Sequence, residues 1–211
     1  MTIKYVISGT FDPLHAAHLG IAEYLERECD VPSEDIFFEL SSSHCDKQRF
    51  SLKYEDRIRQ FAHIGRQCIS TPWATFSEKI FGFKNFTFSS FSLLSANTIE
   101  WKDERVVFCM GEDTFRRFLS RESYFGSDYE RDRAIAKFRE LDGTVLVLPR
   151  GKSTMVRQNG RWQFSKMETD RFNKIVGGNM NRFVQYVSET YIASNLSSSK
   201  LRFNKIGAES K

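Results

Sequence analysis

Short continuous apolar runs alternate along this chain with longer stretches in which apolar residues recur at three- and four-residue steps. The first pattern predicts buried strands and the second amphipathic helices. Residues 4–8 form such a run, the turn residues Gly9-Thr10-Phe11-Asp12-Pro13 follow it, and residues 16–29 have helical spacing. Residues 35–40 predict a second strand, 41–51 a polar loop, and 52–68 a helix with Tyr54, Ile58, Phe61 and Ile64 on one face. Residues 73–81 read as a third strand, 89–101 as a helix, 105–110 as a strongly apolar strand and 112–119 as a short helix. A charged helix over 128–141, stopped at Gly143, precedes a buried strand over 144–148. Residues 150–178 read as an irregular, basic, glycine-bearing excursion, 182–192 return to a β-type pattern, and Ser197-Ser198-Ser199 is a helix N-cap. Strands alternating with helices predict an α/β fold: a Rossmann-like, doubly wound parallel sheet with helices on both faces.

At 211 residues, 40% hydrophobic and 27% charged, the chain is expected to form one domain over its whole length. No apolar stretch is long enough to span a bilayer, and the first residues run into a strand-like segment without a signal-peptide pattern. A cytoplasmic protein with no membrane partner is the expectation. Cys29, Cys45, Cys68 and Cys109 are widely spaced with no C-x-x-C pair, which predicts reduced structural thiols; His44-Cys45-Asp46 lacks a second ligand pair, so no metal site is assigned. Charge is uneven, since residues 150–211 hold twelve Lys or Arg against four Asp or Glu. That suits a solvated surface, a polyanionic small molecule or a nucleic-acid face alike. The twenty phenylalanines read mainly as core filler.

Chemistry concentrates in Ser8-Gly9-Thr10-Phe11-Asp12-Pro13-Leu14-His15-Ala16-Ala17-His18. In a doubly wound sheet, ligands bind beyond the carboxyl ends of the strands, where helix N-termini offer amides and a positive dipole end to phosphate. Gly9 permits close backbone approach, and His15 and His18, three residues apart as the helix begins, can share one face. A histidine pair at this spacing is often incidental. Behind a strand and a glycine turn it predicts a triphosphate site.

The run Gly9 to His18 resembles the G-T-F-D-P-x-H-x-G-H signature of nicotinate- and nicotinamide-mononucleotide adenylyltransferases, in the HIGH-motif nucleotidylyltransferase superfamily. Leu196-Ser197-Ser198-Ser199-Lys200-Leu201-Arg202 resembles the family's I-S-S-T-x-I-R, Met110-Gly111-Glu112-Asp113 its G-x-D, Tyr54 to Ile58 its H-R-L/M helix, and Phe86-Thr87, with Leu93 and Leu94 beyond, its Y-T-x-x-T-L stretch. Ser8 and Ala17 replace glycines common in the family, and Ser199 replaces threonine. The resemblance implies attack of a mononucleotide phosphate on the α-phosphorus of ATP, with Mg2+ bridging the phosphates. It implies His15, His18 and Arg202 as catalytic; Ser8, Gly9, Thr10, Phe11, Gly111, Asp113, Ser198 and Ser199 beside them at ATP; and Ser41, His44, Lys47, Arg57, Thr87 and Tyr124 at the mononucleotide. Tyr124 is the ring assigned to stack on the acceptor, with Trp73 and Trp101 as rivals. Asp113 reads equally as a helix cap, and Arg57 as a surface ion-pair partner.

Two related activities share the first motif. Phosphopantetheine adenylyltransferases usually carry T-x-G-H, and cytidylyltransferases a C-terminal R-T-x-G-I-S-T-T run; His15 and residues 196–202 favour the pyridine-nucleotide reading. A catalytically silent nucleotide sensor is the alternative from another class. No aromatic-basic motif of an RNA-binding fold is present, so nucleic acid is not an expected partner, and a homo-oligomer is compatible with the sequence. Gly151-Lys152-Ser153-Thr154 ends like a phosphate-binding P-loop, but Leu146 stands where its first glycine belongs.

Overall fold

Neighbouring residues of the central strands point to opposite faces of the sheet, and both faces are apolar. In β1 (Ile3–Gly9), Val6 enters one hydrophobic cluster and Ile7 the other. Strand β2 (Ile36–Ser41) divides in the same way, with Phe37 on one side and Ile36, Phe38 and Leu40 on the other. Such strands need cover on both sides, and helices supply it. The computed structural model describes residues 2–42, 52–91, 96–149, 154–188 and 191.

Helix α1 (Ala16–Glu28) joins β1 to β2, and α2 (Tyr54–His63) leads into β3 (Cys68–Thr71). Ile21, Ala22 and Leu25 of α1 and Phe61 of α2 pack under one face. After β3 come α3 (Phe76–Asn85), β4 (Phe88–Phe91), β5 (Ala96–Ile99) and β6 (Arg105–Gly111). Then follow α4 (Glu112–Phe118), α5 (Asp128–Glu140), β7 (Thr144–Leu148), the pair β8 (Val156–Gln158) and β9 (Arg161–Gln163), α6 (Lys166–Ile175) and β10 (Val184–Tyr186). Ile80 and Phe83 of α3, Phe115 of α4, Phe138 of α5 and Phe172 of α6 fill the opposite face.

The large sheet has the order β10-β7-β6-β1-β2-β3-β4-β5. Its first six strands are parallel, and β4 and β5 extend it antiparallel. The chain steps outward from β1 through β2 and β3, then crosses to the other side of β1 for β6, β7 and β10. The order therefore reverses between β1 and β6, which opens a crevice at their carboxyl ends. The Rossmann-like, doubly wound α/β fold expected from the alternation is present.

Five local expectations are corrected. The helix expected over 52–68 stops at His63, just before Gly65 takes a left-handed φ of 66°, and β3 begins at the last expected residue, Cys68. The strand expected over 73–81 is instead α3, because Thr75 and Glu78 form a reciprocal capping box that starts a helix at Phe76. The helix expected over 89–101 is the β4–β5 pair, since β3 offers an open sheet edge that outweighs local helical spacing. The excursion over 150–178 contains the β8–β9 hairpin, turned at Asn159-Gly160 with φ of 53° and 73°, and α6, capped by Ser165. Among the described residues of the β-type stretch expected over 182–192, the strand is β10 (Val184–Tyr186). Among the described residues no helix is long and apolar enough to cross a membrane. The thiols of Cys68 and Cys109 are free and buried, and desolvation pushes both well above the usual thiol range.

Core rings bear on two of the proposed stacking residues. Trp101 is buried against Phe37 and Phe88, with ring centroids 4.7 and 4.8 Å away. Trp73 packs edge-on to Phe83 at 5.2 Å and lies across Gly82, where an added Cβ would fall 2.1 Å from the indole. Gly82→Ala gains at most about 1 kcal/mol of helix propensity. Overpacking costs about 1–3 kcal/mol, so net destabilisation is expected in denaturant unfolding followed by tryptophan fluorescence.

Candidate active site

The loop joining β1 to α1 is held rigidly from beneath. A Cβ on Gly9 would lie 3.0 Å from the Phe11 ring, so the missing side chain first makes room for that ring. Phe11 holds a left-handed φ of 45°, which persists in a bulky residue only where its surroundings over-determine it. Its buried ring meets Phe38, Phe61 and His18 edge-on, with centroids at 5.7, 4.9 and 4.9 Å.

Helix α2 supplies the second restraint. Arg57 Nη1 donates to the Thr10 carbonyl at 3.0 Å. Gln60 Nε2 donates to the Phe11 carbonyl at 3.0 Å, and Gln60 Oε1 accepts from the Leu14 amide at 2.8 Å. The Leu52 amide donates to buried Asp12 at 2.8 Å. Because a trans peptide sets its N–H opposite its C=O, anchoring the carbonyls of Thr10 and Phe11 to α2 turns the amides of Phe11 and Asp12 away from it. Arg57 is buried, not the surface ion-pair partner of the alternative reading; desolvation lowers its pKa, and the Asp12 charge opposes that shift. Gln60→Ala removes two hydrogen bonds to the loop. A stability loss of about 1–2 kcal/mol and a raised KM for the nucleoside triphosphate are expected, checked by unfolding and steady-state kinetics.

On that loop, His15 is the N-cap residue of α1 and His18 lies in its first turn. Their rings stack, with centroids 3.9 Å apart and planes inclined at 23°, so the pair does share one face. Two imidazoles this close at a helix N-terminus form a compact donor surface for an anion. Strand β1 pairs with β6 in a register that sets Ile7 opposite Cys109. Two residues further on, Gly9 stands beside Gly111, the N-cap of α4. The histidine loop and Gly111-Glu112-Asp113 therefore flank the same crevice. The Asp113 side chain is half-exposed there and only 3.9 Å from Arg117.

A buried network beneath the crevice escaped sequence reasoning. Glu39, fully buried in β2, accepts from the hydroxyls of Ser8 at 2.5 Å, Ser41 at 3.0 Å, and Thr71. Lys79 of α3 pairs with its carboxylate at 2.9 Å and donates to Ser8 at 2.6 Å. One carboxylate thus ties together the carboxyl ends of three strands. The sequence signal was a glutamate inside an apolar strand, meaningful only alongside a lysine forty residues away.

Other assignments change. Ser41 is closed into this network and is not open to a mononucleotide. Tyr124 is buried with its hydroxyl donating to the Phe118 carbonyl at 3.1 Å, so it cannot stack on a ligand, whereas the next residue, Phe125, is 97% exposed. Thr10 is buried, and Thr87 is exposed between α3 and β4. His44, Lys47, Ser198, Ser199 and Arg202 lie outside the described residues, as do Leu93, Leu94, Cys45 and Gly151 to Ser153.

Residues 6–204, a span that includes Gly9 to His18 and Leu196 to Arg202, match the cytidylyltransferase-like family. The chain belongs to that family. A search of curated proteins finds no match. Membership of the cytidylyltransferase-like family implies a nucleotidyltransferase acting on nucleotide substrates.

Proposed function

We propose that the chain transfers the adenylyl group of ATP to nicotinate or nicotinamide mononucleotide, a step of NAD biosynthesis in the cytoplasm. The observation that carries this reading is the stacked His15–His18 pair at the N-terminus of α1, beside Gly111 at the switch point. A doubly wound sheet offers two mononucleotide halves about that point, and the product is a dinucleotide. The β6 side takes ATP, with Asp113 at its ribose, and the β1–β2–β3 side takes the acceptor.

An oxygen of the acceptor phosphate attacks the α-phosphorus of ATP; a new P–O bond forms, and the bond to the β-phosphate breaks as pyrophosphate leaves. The nucleophile is already an anion, so no general base is needed. Catalysis reduces to alignment and neutralisation of phosphate charge. His15 and His18 donate to the triphosphate, and the loop amides of Phe11 and Asp12 add further donors. Ser198, Ser199 and Arg202 complete the β- and γ-phosphate contacts, and His44 and Lys47 meet the acceptor phosphate. With Tyr124 closed off, Phe125 is the ring of its stretch open to stack on the acceptor.

His15 and His18 would hold the triphosphate with which Mg2+ enters, and the ion would supply further neutralisation of phosphate charge. Among the described residues no group of three or more His, Cys, Asp or Glu side chains is placed to hold an ion. The test is pyrophosphate release from ATP or CTP with nicotinate mononucleotide, nicotinamide mononucleotide and phosphopantetheine in parallel. ATP-dependent release with a pyridine mononucleotide is expected. Release only with CTP or only with phosphopantetheine would replace this reading.

A further inference from the structure

Ser8 stands where the resembled enzymes usually carry glycine, and its hydroxyl is bound on two sides. A carboxylate can only accept a hydrogen bond and an ammonium can only donate one. The Ser8 proton is therefore committed to Glu39 at 2.5 Å, and one of its lone pairs to Lys79 at 2.6 Å. One lone pair remains. Of the network's five members, Glu39, Ser41, Thr71 and Lys79 are buried, and only Ser8 is partly exposed.

Toward the crevice, then, the network presents one hydrogen-bond acceptor and no donor. The Glu39–Lys79 pair behind it is neutral as a unit, so it lends little attraction to a second anion. A ligand N–H can reach the Ser8 lone pair, whereas a carboxylate oxygen would oppose lone pair to lone pair. An unmatched polar group at such a site costs far more than a missing apolar contact. The resemblance implies Ser8 at ATP; its hydroxyl is instead tied to Glu39 of β2 and to Lys79, on the β1–β2–β3 side, the half assigned above to the acceptor.

We propose that Ser8, held as an obligate acceptor by Glu39 and Lys79, is a specificity-determining residue that selects a mononucleotide bearing a carboxamide N–H over its carboxylate counterpart. Glu39 and Lys79 are positioning residues in this scheme, and the inference rests on the proposed function. The catalytic step is unchanged; the discrimination lies in which acceptor binds.

The experiment compares nicotinamide mononucleotide with nicotinate mononucleotide, both as kcat/KM and as Kd from calorimetric titration of the full chain. Wild type is expected to favour the amide by roughly tenfold or more. Ser8→Gly and Ser8→Ala should each bring the ratio near unity, and two variants guard against one failing to fold. Glu39→Gln combined with Lys79→Met strands no buried charge and ends the enforced orientation of the Ser8 hydroxyl, so this double variant should also bring the ratio near unity. A wild-type preference for the acid, equal use of both, or a ratio unchanged in the Ser8 variants overturns the inference and leaves the proposed function standing. No turnover and no binding of either mononucleotide overturns both.

Discussion

His18→Ala is expected to lower turnover by about 100- to 1,000-fold, the loss typical of removing one preorganised donor from a developing charge, while costing only about 1–2 kcal/mol of stability. The stability cost is small because the ring is only half-buried, packed on His15 at 3.9 Å and edge-on to Phe11 at 4.9 Å. The catalytic cost is large because no other side chain among the described residues takes the same place beside His15 on the first turn of α1. Pyrophosphate release under saturating substrates, set against the denaturant midpoint of the same preparation, separates the two effects. Parallel losses in both would make His18 a core residue and remove the central support for phosphate binding there.

Stability should respond most to breaking the Glu39–Lys79 pair. Both side chains are buried, and the carboxylate also anchors Ser8, Ser41 and Thr71. Removing one partner of a buried pair leaves an uncompensated charge in a low-dielectric interior and costs about 3–5 kcal/mol. Against a domain stability of about 5–15 kcal/mol, Lys79→Met should place the chain near its unfolding threshold. Adding Glu39→Gln to Lys79→Met removes the stranded charge and keeps an acceptor for the hydroxyls, so much of the loss should be regained. A double-mutant cycle by urea unfolding measures the coupling; strictly additive losses would mean that the two charges do not act as a pair.

The parallel strands and the helices beside them were legible because each is a local pattern. Residues 105–110 and 144–148 are continuous apolar runs, and α1, α4 and α5 match their expected bounds within a residue or two. The misread segments are those where a short-range signal or a partner strand decides. The Thr75–Glu78 box was readable in the sequence and outweighed by the apolar residues around it; the β4–β5 pair owes its state to the open edge of β3.

The candidate site divides in the same way. Gly9 to His18 announces a strand, a phosphate-binding turn and two histidines on one helical face, because residues three apart in a helix must be neighbours. That much the sequence by itself determines. Tertiary structure decides the rest: that α2 takes the loop's carbonyls through Arg57 and Gln60, that Tyr124 and Ser41 face inward, and that Ser8, Glu39 and Lys79 meet. Those contacts join positions 31 to 71 residues apart, or turn on which face of an element is covered. No local pattern encodes them, because they exist only once β1, β2 and β3 lie side by side with α2 and α3 packed on opposite faces.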